Sequence, residues 1–308
     1  MTIAIVTDST AYLPPAVVAQ RGILVVPLHV VLGGQEHSEG VDVTAADVAT
    51  ALRSFVPVST SRPAPQAFLE AYAEAIASGA REIVSVHISA DMSSTVGGAV
   101  LAARDLEVPV HVVDSRALGM AMGYAVLAGA DLVAARAEGV AEGGAAEGGA
   151  VDGATVAAYI ERITRAATVI FYVDTLEYLR RGGRIGKAGA LVGSALSIKP
   201  ILGLREGHIV PLEKVRTSSR AIARLEDLAA EAVESAAARG EVPRVAVHHL
   251  DSAERAAMLA ERLAARLGDT VDRVEVVELG AVVGAHVGPG TLAVAVVPLP
   301  ATSPTAGR

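Results

Sequence analysis

Hydroxyl and carboxyl side chains gather at the ends of the short aliphatic runs in this chain. Asp8, Ser9 and Thr10 follow the run Ile3 to Thr7, and Ser59, Thr60, Ser61 and Arg62 precede a helical stretch that opens at Pro65. Ser89, Asp91, Ser93, Ser94 and Thr95 follow the run Glu82 to Ile88, and Asp114, Ser115 and Arg116 close the run that begins at Val110. In open α/β sheets ligands bind beyond the carboxyl ends of the strands. Helix N-termini at that edge aim free N–H groups and the positive end of the helix dipole at an anion. A ring of such groups binds a carboxylate or a phosphate. Taken singly, each Ser, Thr or Asp is equally an ordinary helix cap; it is their recurrence at one edge that points to a ligand.

Three further groups carry potential chemistry. His286 lies in GAVVGAHVGPGTLAV, between glycines that let backbone approach a ligand closely. His248 and His249 end a strand, and two adjacent histidines do not make a metal site. Arg180, Arg181, Arg184 and Lys187 form a basic island in an acidic chain, either a solvated turn or a docking patch for an acidic partner. Other chemistries are missing from the pattern. There is no GxxxxGK[ST] phosphate loop, no GxSxG elbow and no HExxH. Asp8-Ser9-Thr10 stands where a dinucleotide-binding fold would have its glycines.

The elements that must position these groups alternate. Strands are expected at Ile3 to Thr7, Ile23 to Val31, Glu82 to Ile88 and Val110 to Asp114. Helices are expected near Pro14 to Arg21, Ala45 to Phe55, Pro65 to Gly79, Ser93 to Leu106 and Leu118 to Glu138. This alternation predicts a mainly parallel sheet with helices on both faces. The Ala/Glu/Gly-rich stretch at about 137–153 reads as a loop or linker. It divides the chain into two expected α/β domains, 1–150 and 151–308. In the second, helices are expected at Thr155 to Ala167, Arg220 to Arg239 and Glu254 to Leu267. Its strands are expected at Val169 to Val173, Arg244 to His249, Arg273 to Leu279 and Thr291 to Val297. Ile198 to Leu204 and His208 to Leu212, joined by Arg205, Glu206 and Gly207, read as a hairpin, so the second sheet is expected to be mixed.

Composition narrows the function classes. Of the 308 residues 52% are hydrophobic but only 3% aromatic, which suits aliphatic strands under Ala-rich helices. The formal charge of −8 argues against a general nucleic-acid binder. The absence of cysteine rules out disulfides, thiolate metal sites and cysteine nucleophiles. The N-terminus MTIAIVTDST is not a secretory signal, and every long apolar run is broken by charge, Gly or Pro, so no stable membrane insertion is expected.

Seven segments together resemble the DegV family of bacterial fatty-acid-binding proteins: DSTAYLP (Asp8 to Pro14), TSRPAP (Thr60 to Pro65), SADMSSTVGGA (Ser89 to Ala99), VDSRALGMAMG (Val113 to Gly123), FYVDTLEYLRRGGRIG (Phe171 to Gly186), SIKPIL (Ser197 to Leu202) and GAVVGAHVGPGTLAV (Gly280 to Val294). They occur in the family's order over nearly the whole chain. The resemblance implies two α/β domains with a ligand between them. That ligand would be one long-chain fatty acid of palmitate, stearate or oleate size, its tail in an apolar tunnel, with no cofactor and no metal. It implies that Thr60, Ser93 and His286 hold the carboxylate, with Ser61, Arg62 and Ser94 as neighbours and Asp8 orienting the site. It further implies a cytoplasmic protein without catalysis of its own. Such a protein presents the carboxylate to the kinase subunit of fatty acid kinase, which makes the acyl phosphate and docks near Arg180, Arg181 and Arg184. The family often has Gln at the position of Arg62 and Gly at that of Ser94.

Two rival readings remain open at this stage. Substrate domains related to dihydroxyacetone kinase resemble the family in fold, and there His286 or His248 would bind a small carbonyl compound in a small polar cavity. A DNA-binding regulator would need a salt-dependent interaction that the acidic charge disfavours.

Overall fold

The structure, a computed structural model, describes residues 2–137, 151–191 and 199–301. Its first half runs β1 (Ile3–Asp8), α1 (Pro15–Arg21), β2 (Leu24–Val26), β3 (His29–Leu32), β4 (Gln35–Ser38), α2 (Ala45–Arg53), β5 (Val58–Ser61), α3 (Pro65–Ala77), β6 (Glu82–His87), α4 (Thr95–Ala103), β7 (Val110–Asp114) and α5 (Met120–Ala137). Four of these strands form a wholly parallel sheet in the order β2-β1-β6-β7. Their near-continuous aliphatic character is what a strand covered on both faces requires. α3 and α4 pack on one face around the fully buried Phe68 and Tyr72, and α5 covers the other.

The second half runs α6 (Gly153–Ala166), β8 (Thr168–Tyr172), α7 (Glu177–Arg181), β9 (Lys199–Arg205), β10 (His208–Val215), α8 (Ser218–Ala238), β11 (Val242–His249), α9 (Ala253–Leu267), β12 (Val274–Glu278), α10 (Ala281–Val287) and β13 (Leu292–Leu299). Its six strands lie in the order β10-β9-β8-β13-β11-β12, and only β11 and β12 run parallel, so the sheet is mixed as expected. α8 and α9 cover its outer face. α5 and α6 fill the space between the two sheets, in one core that joins Ile5 and Val84 of the first sheet to Ala246 and Ala295 of the second. A helix buried from both sides must be apolar nearly all round, and the Ala-rich α5 is. Gly129 lets α6 approach where a Cβ would overlap Ile160.

Three features differ from the sequence expectation. Ile23 to Val31 is not one strand region: Pro27 has no N–H for a ladder, and the chain leaves the parallel sheet there. β3 instead pairs with β4 and β5 in a small antiparallel sheet of order β4-β3-β5. The short helices α7 and α10 were not expected. No helix among the described residues is long and apolar enough to cross a membrane. The expected linker at about 137–153 falls mostly outside the described residues, as does Ile198.

The hairpin of β9 and β10 is present, and its turn residues Glu206 (φ 49°) and Gly207 (φ 82°) are both left-handed, as a two-residue hairpin turn demands. Its tip is clamped to the first sheet. Ser89 Oγ donates to the Gly207 carbonyl at 3.0 Å, and Arg116 pairs with Glu206 at 2.7 Å. These two strand-end residues therefore hold the hairpin rather than line a ligand site.

Candidate functional site

A cavity of about 230 Å³ opens where β5, the loop after β6, α10, the hairpin and the segment after α7 meet. Thr60, Ser93 and His286 all line it, together with Ser61, Arg62, Ser94 and Arg184. Each is placed by a different local device. Thr60 sits on β5, at the edge of the small sheet. Ser93 lies in the turn before α4, its backbone N–H bonded to the Ser89 carbonyl and its hydroxyl 2.7 Å from Thr95 Oγ1. Ser94 caps α4 with φ −74°, a conformation open to any residue, so a serine there carries no backbone strain. His286 lies in the last turn of α10, and its Nε2 is 2.9 Å from Thr60 Oγ1.

Burial, with the Arg184 guanidinium adding to it, pushes His286 down to about 4, so its imidazole is neutral near pH 7. Its Nδ1 is buried and has no hydrogen-bond partner among the described residues. Gly182 packs directly on that nitrogen, and a Cβ there would overlap the ring. Arg184 donates to the Met92 carbonyl at 3.0 Å and the Gly182 carbonyl at 2.7 Å, which brings a cation to the cavity. A neutral imidazole, two hydroxyls and one guanidinium form a set suited to a single carboxylate.

The remaining sequence candidates separate. Ser61 Oγ donates to Glu36 at 3.0 Å, while Arg62 is exposed at the rim. Asp8 is wholly buried and outside this cavity. It accepts from Thr10 N at 3.0 Å, Ile88 N at 2.9 Å, His87 Nδ1 at 3.1 Å and the Thr10 hydroxyl. It thus fixes the backbone at Ile88, whose side chain is cavity wall. Arg180 and Arg181 do not enter the cavity. They project into solvent and share the Glu177 carboxylate, which holds that acid down to about 2.

The cavity continues into an apolar extension of about 50 Å³, and Met92, Leu118, Ile209, Val283 and Val287 line both. The extension's other walls include Phe171, Leu279 and Ala293, with His248 and Thr291 its polar members. On the solvent side, a groove of about 460 Å³ shares Thr60, Arg184 and His286 with the cavity and runs between Phe55 and Arg181.

Sequence reasoning missed Glu39. It is buried, accepts from Val282 N at 2.8 Å and from the Ser9 hydroxyl, and so caps α10 from outside. Burial pushes it up to about 7, against the two hydrogen bonds that favour its ionised form. Ser9 Oγ also accepts from Leu28 N at 3.0 Å, tying a second cavity wall to the same carboxylate. The partners are 243 positions apart, and no local pattern encodes that.

His248 likewise acts as a cap. Met120 N donates to its Nε2 at 3.1 Å, at the start of α5, which leaves the proton on Nδ1. Burial holds it at about 4. The unfolded histidine, near 6.5, binds a proton that the native one refuses, so its contribution to stability is complete above pH 6.5 and is lost as pH falls towards 4. Denaturant titrations at pH 7 and pH 4 are expected to show the wild type losing ~3 kcal/mol more than a His248→Gln variant. Equal losses would mean that the histidine is protonated in the native state.

Comparison with known proteins supplies a family. Residues 2–299 match the model of a family described as "Uncharacterised protein, DegV family". A DegV domain-containing protein from Streptomyces coelicolor is 49% identical, over 96% of this chain and 98% of its own length. Among solved structures, a fatty-acid-binding DegV family protein from Thermus thermophilus superposes with a TM-score of 0.84 at 33% identity, over 97% of this chain and all (100%) of that one. DegV from Bacillus subtilis, described as a fatty acid binding protein, superposes at 0.81 with 30% identity, over 96% of this chain and 99% of its own. On its sequence and its fold, this chain belongs to the DegV family.

Proposed function

We propose that this protein binds one long-chain fatty acid in the cytoplasm and presents the carboxylate to a separate kinase, with no bond-breaking chemistry of its own. The observation that carries the reading is the cavity's polarity: a hydroxyl and imidazole cluster at one end, and mostly apolar walls beyond Met92 and Val283. Thr60, Ser93 and His286 hold the head group, and Arg184 balances its charge. Relatives from T. thermophilus and B. subtilis that bind fatty acids support the ligand class. A small carbonyl substrate would call for polar walls on every side, and the extension is apolar.

Magnitudes favour the same ligand. A saturated tail of about sixteen carbons gains on the order of 10 kcal/mol from burial, at ~0.8 kcal/mol per methylene. Each hydrogen bond to a charged head adds about 1.5–3 kcal/mol at best. Association and ordering offset much of this sum, which leaves submicromolar binding within reach. The cavity must widen as the tail enters, since ligand sites of this class span about 300 to 1,000 Å³.

The solvent-side groove supports presentation to a partner. It reaches Thr60 and His286 from outside, past Arg181 and Arg184. A kinase docked on the basic island would therefore face the carboxylate, and the ion pairs to Glu177 hold Arg180 and Arg181 in place for it.

The test is to express the protein in a heterologous host and compare native with denaturing mass spectra. An added mass of palmitate, stearate or oleate is expected, and it is lost in a Ser93→Ala, His286→Ala double variant. A wild-type protein that stays empty when offered these acids overturns the reading.

A further inference from the structure

One wall of the apolar extension is formed by His248, Leu279 and Val283, and Tyr12 packs behind it. Its ring meets the His248 imidazole edge to face, with centroids 6.3 Å apart, and packs against the core cluster that contains Leu279 and Val283. His248, Leu279 and Val283 line the extension. On the far side, Tyr12 and Leu279 line a separate groove of about 620 Å³, open to solvent between α1, the β4–α2 loop and the start of α10. One aromatic ring and one leucine therefore stand between a narrow apolar channel and a much larger space.

Tyr12 is unusual in two further ways. Its backbone is left-handed, at φ 53°, where a glycine would be at ease. Its hydroxyl is buried at the start of α10, beside the backbone N–H groups of Gly280 and Val283 and near Glu39, and burial pushes it well above its ordinary value. Non-glycine residues held in such a conformation persist where the surroundings over-determine them, commonly at ligand clamps. What the ring adds is bulk behind the wall of His248 and Leu279.

We infer that Tyr12, seated against Leu279 and His248, is the stop of the acyl channel and sets the longest chain the protein accepts. This rests on the fatty-acid reading above. A saturated tail that enters from Thr60 and His286 runs past Met92 and Val283 and ends on the Leu279 and His248 wall that the Tyr12 ring backs. Longer tails are rejected because that wall is backed: the ring packs between β11 and α10, on a turn closed by its own N–H bond to the Ser9 carbonyl at 3.2 Å.

The experiment offers an equimolar mixture of palmitate, stearate, arachidate and behenate to delipidated protein and reads the bound acids by native mass spectrometry. Wild type is expected to select the shorter acids. Tyr12→Ala joins channel and groove, and is expected to raise the bound ratio of behenate to palmitate roughly tenfold or more. Tyr12→Phe keeps the ring and the wild-type selectivity. Leu279→Ala removes the other half of the wall and shifts the ratio in the same direction, so the inference stays testable if one variant does not fold. An unchanged distribution in whichever alanine variant folds overturns the inference, as does a shift in Tyr12→Phe equal to that in Tyr12→Ala. Wild type that binds none of the acids removes the fatty-acid reading itself, an outcome distinct from wild type that binds all four equally, which removes only the stop.

Discussion

Gly182→Ala is expected to weaken fatty-acid binding by about ten- to a hundred-fold while leaving the fold in place. Gly182 ends α7 at φ −73°, a conformation that alanine prefers to glycine, so the backbone offers no resistance. The resistance comes from the His286 ring, which lies where the new methyl must go. Overpacking a tight contact costs about 1–3 kcal/mol, and here the site yields before the scaffold does. The ring can escape only by abandoning its 2.9 Å contact with Thr60, the contact that holds both groups at the cavity wall. Isothermal titration with palmitate, beside a thermal melt, separates the two effects. A large fall in Tm with unchanged affinity would show that the histidine tolerates displacement.

The largest loss of stability is expected at Asp8. Asp8→Ala leaves Thr10 N, Ile88 N, the Thr10 hydroxyl and His87 Nδ1 without their acceptor in a site that excludes water, and should cost about 3–5 kcal/mol. Asp8→Asn should cost less, because the buried chain behind it can reverse. His87 Nε2 accepts from Ser85 Oγ at 2.7 Å, and Ser85 Oγ accepts from the Tyr72 hydroxyl at 2.8 Å. If the amide donates to Nδ1, the imidazole takes its other tautomer and the hydroxyls reorient. Urea midpoints for the two variants test this, and equal losses would mean that the chain is locked in one direction. Because Ile88 is cavity wall, the alanine variant should also bind ligand more weakly.

Much of the scaffold was legible because local signals and tertiary demand agree. Val110–Asp114 begins and ends as its aliphatic run does, the helix expected near Pro14 opens one residue later at Pro15, Pro65 opens the helix expected there, and Glu206-Gly207 makes the turn its sequence advertises. The misreadings fall where a local signal is weak or misleading. β4, Gln35–Ser38, has no apolar alternation and is held by pairing with β3. α10 reads as a loop because Gly280, Gly284 and Gly288 punctuate it, and glycine disfavours helix by up to about 1 kcal/mol per residue. Burial of six of its seven residues and the Glu39 cap make it a helix all the same. The site divides the same way. Thr60, Ser93 and His286 stand in motifs that the eye can find. Glu39, Tyr12 and the apolar walls acquire their roles only when distant segments meet.

The order of the second sheet has a consequence for synthesis on the ribosome. β13 lies between β8 and β11, and these two strands pair with each other nowhere. Until residues 292–299 have emerged, the nascent chain carries two half-sheets, each with a bare hydrophobic edge. Exposed edges of that kind recruit other chains. A message truncated just before β13 therefore yields an aggregation-prone polypeptide, although it encodes every residue assigned here to the carboxylate.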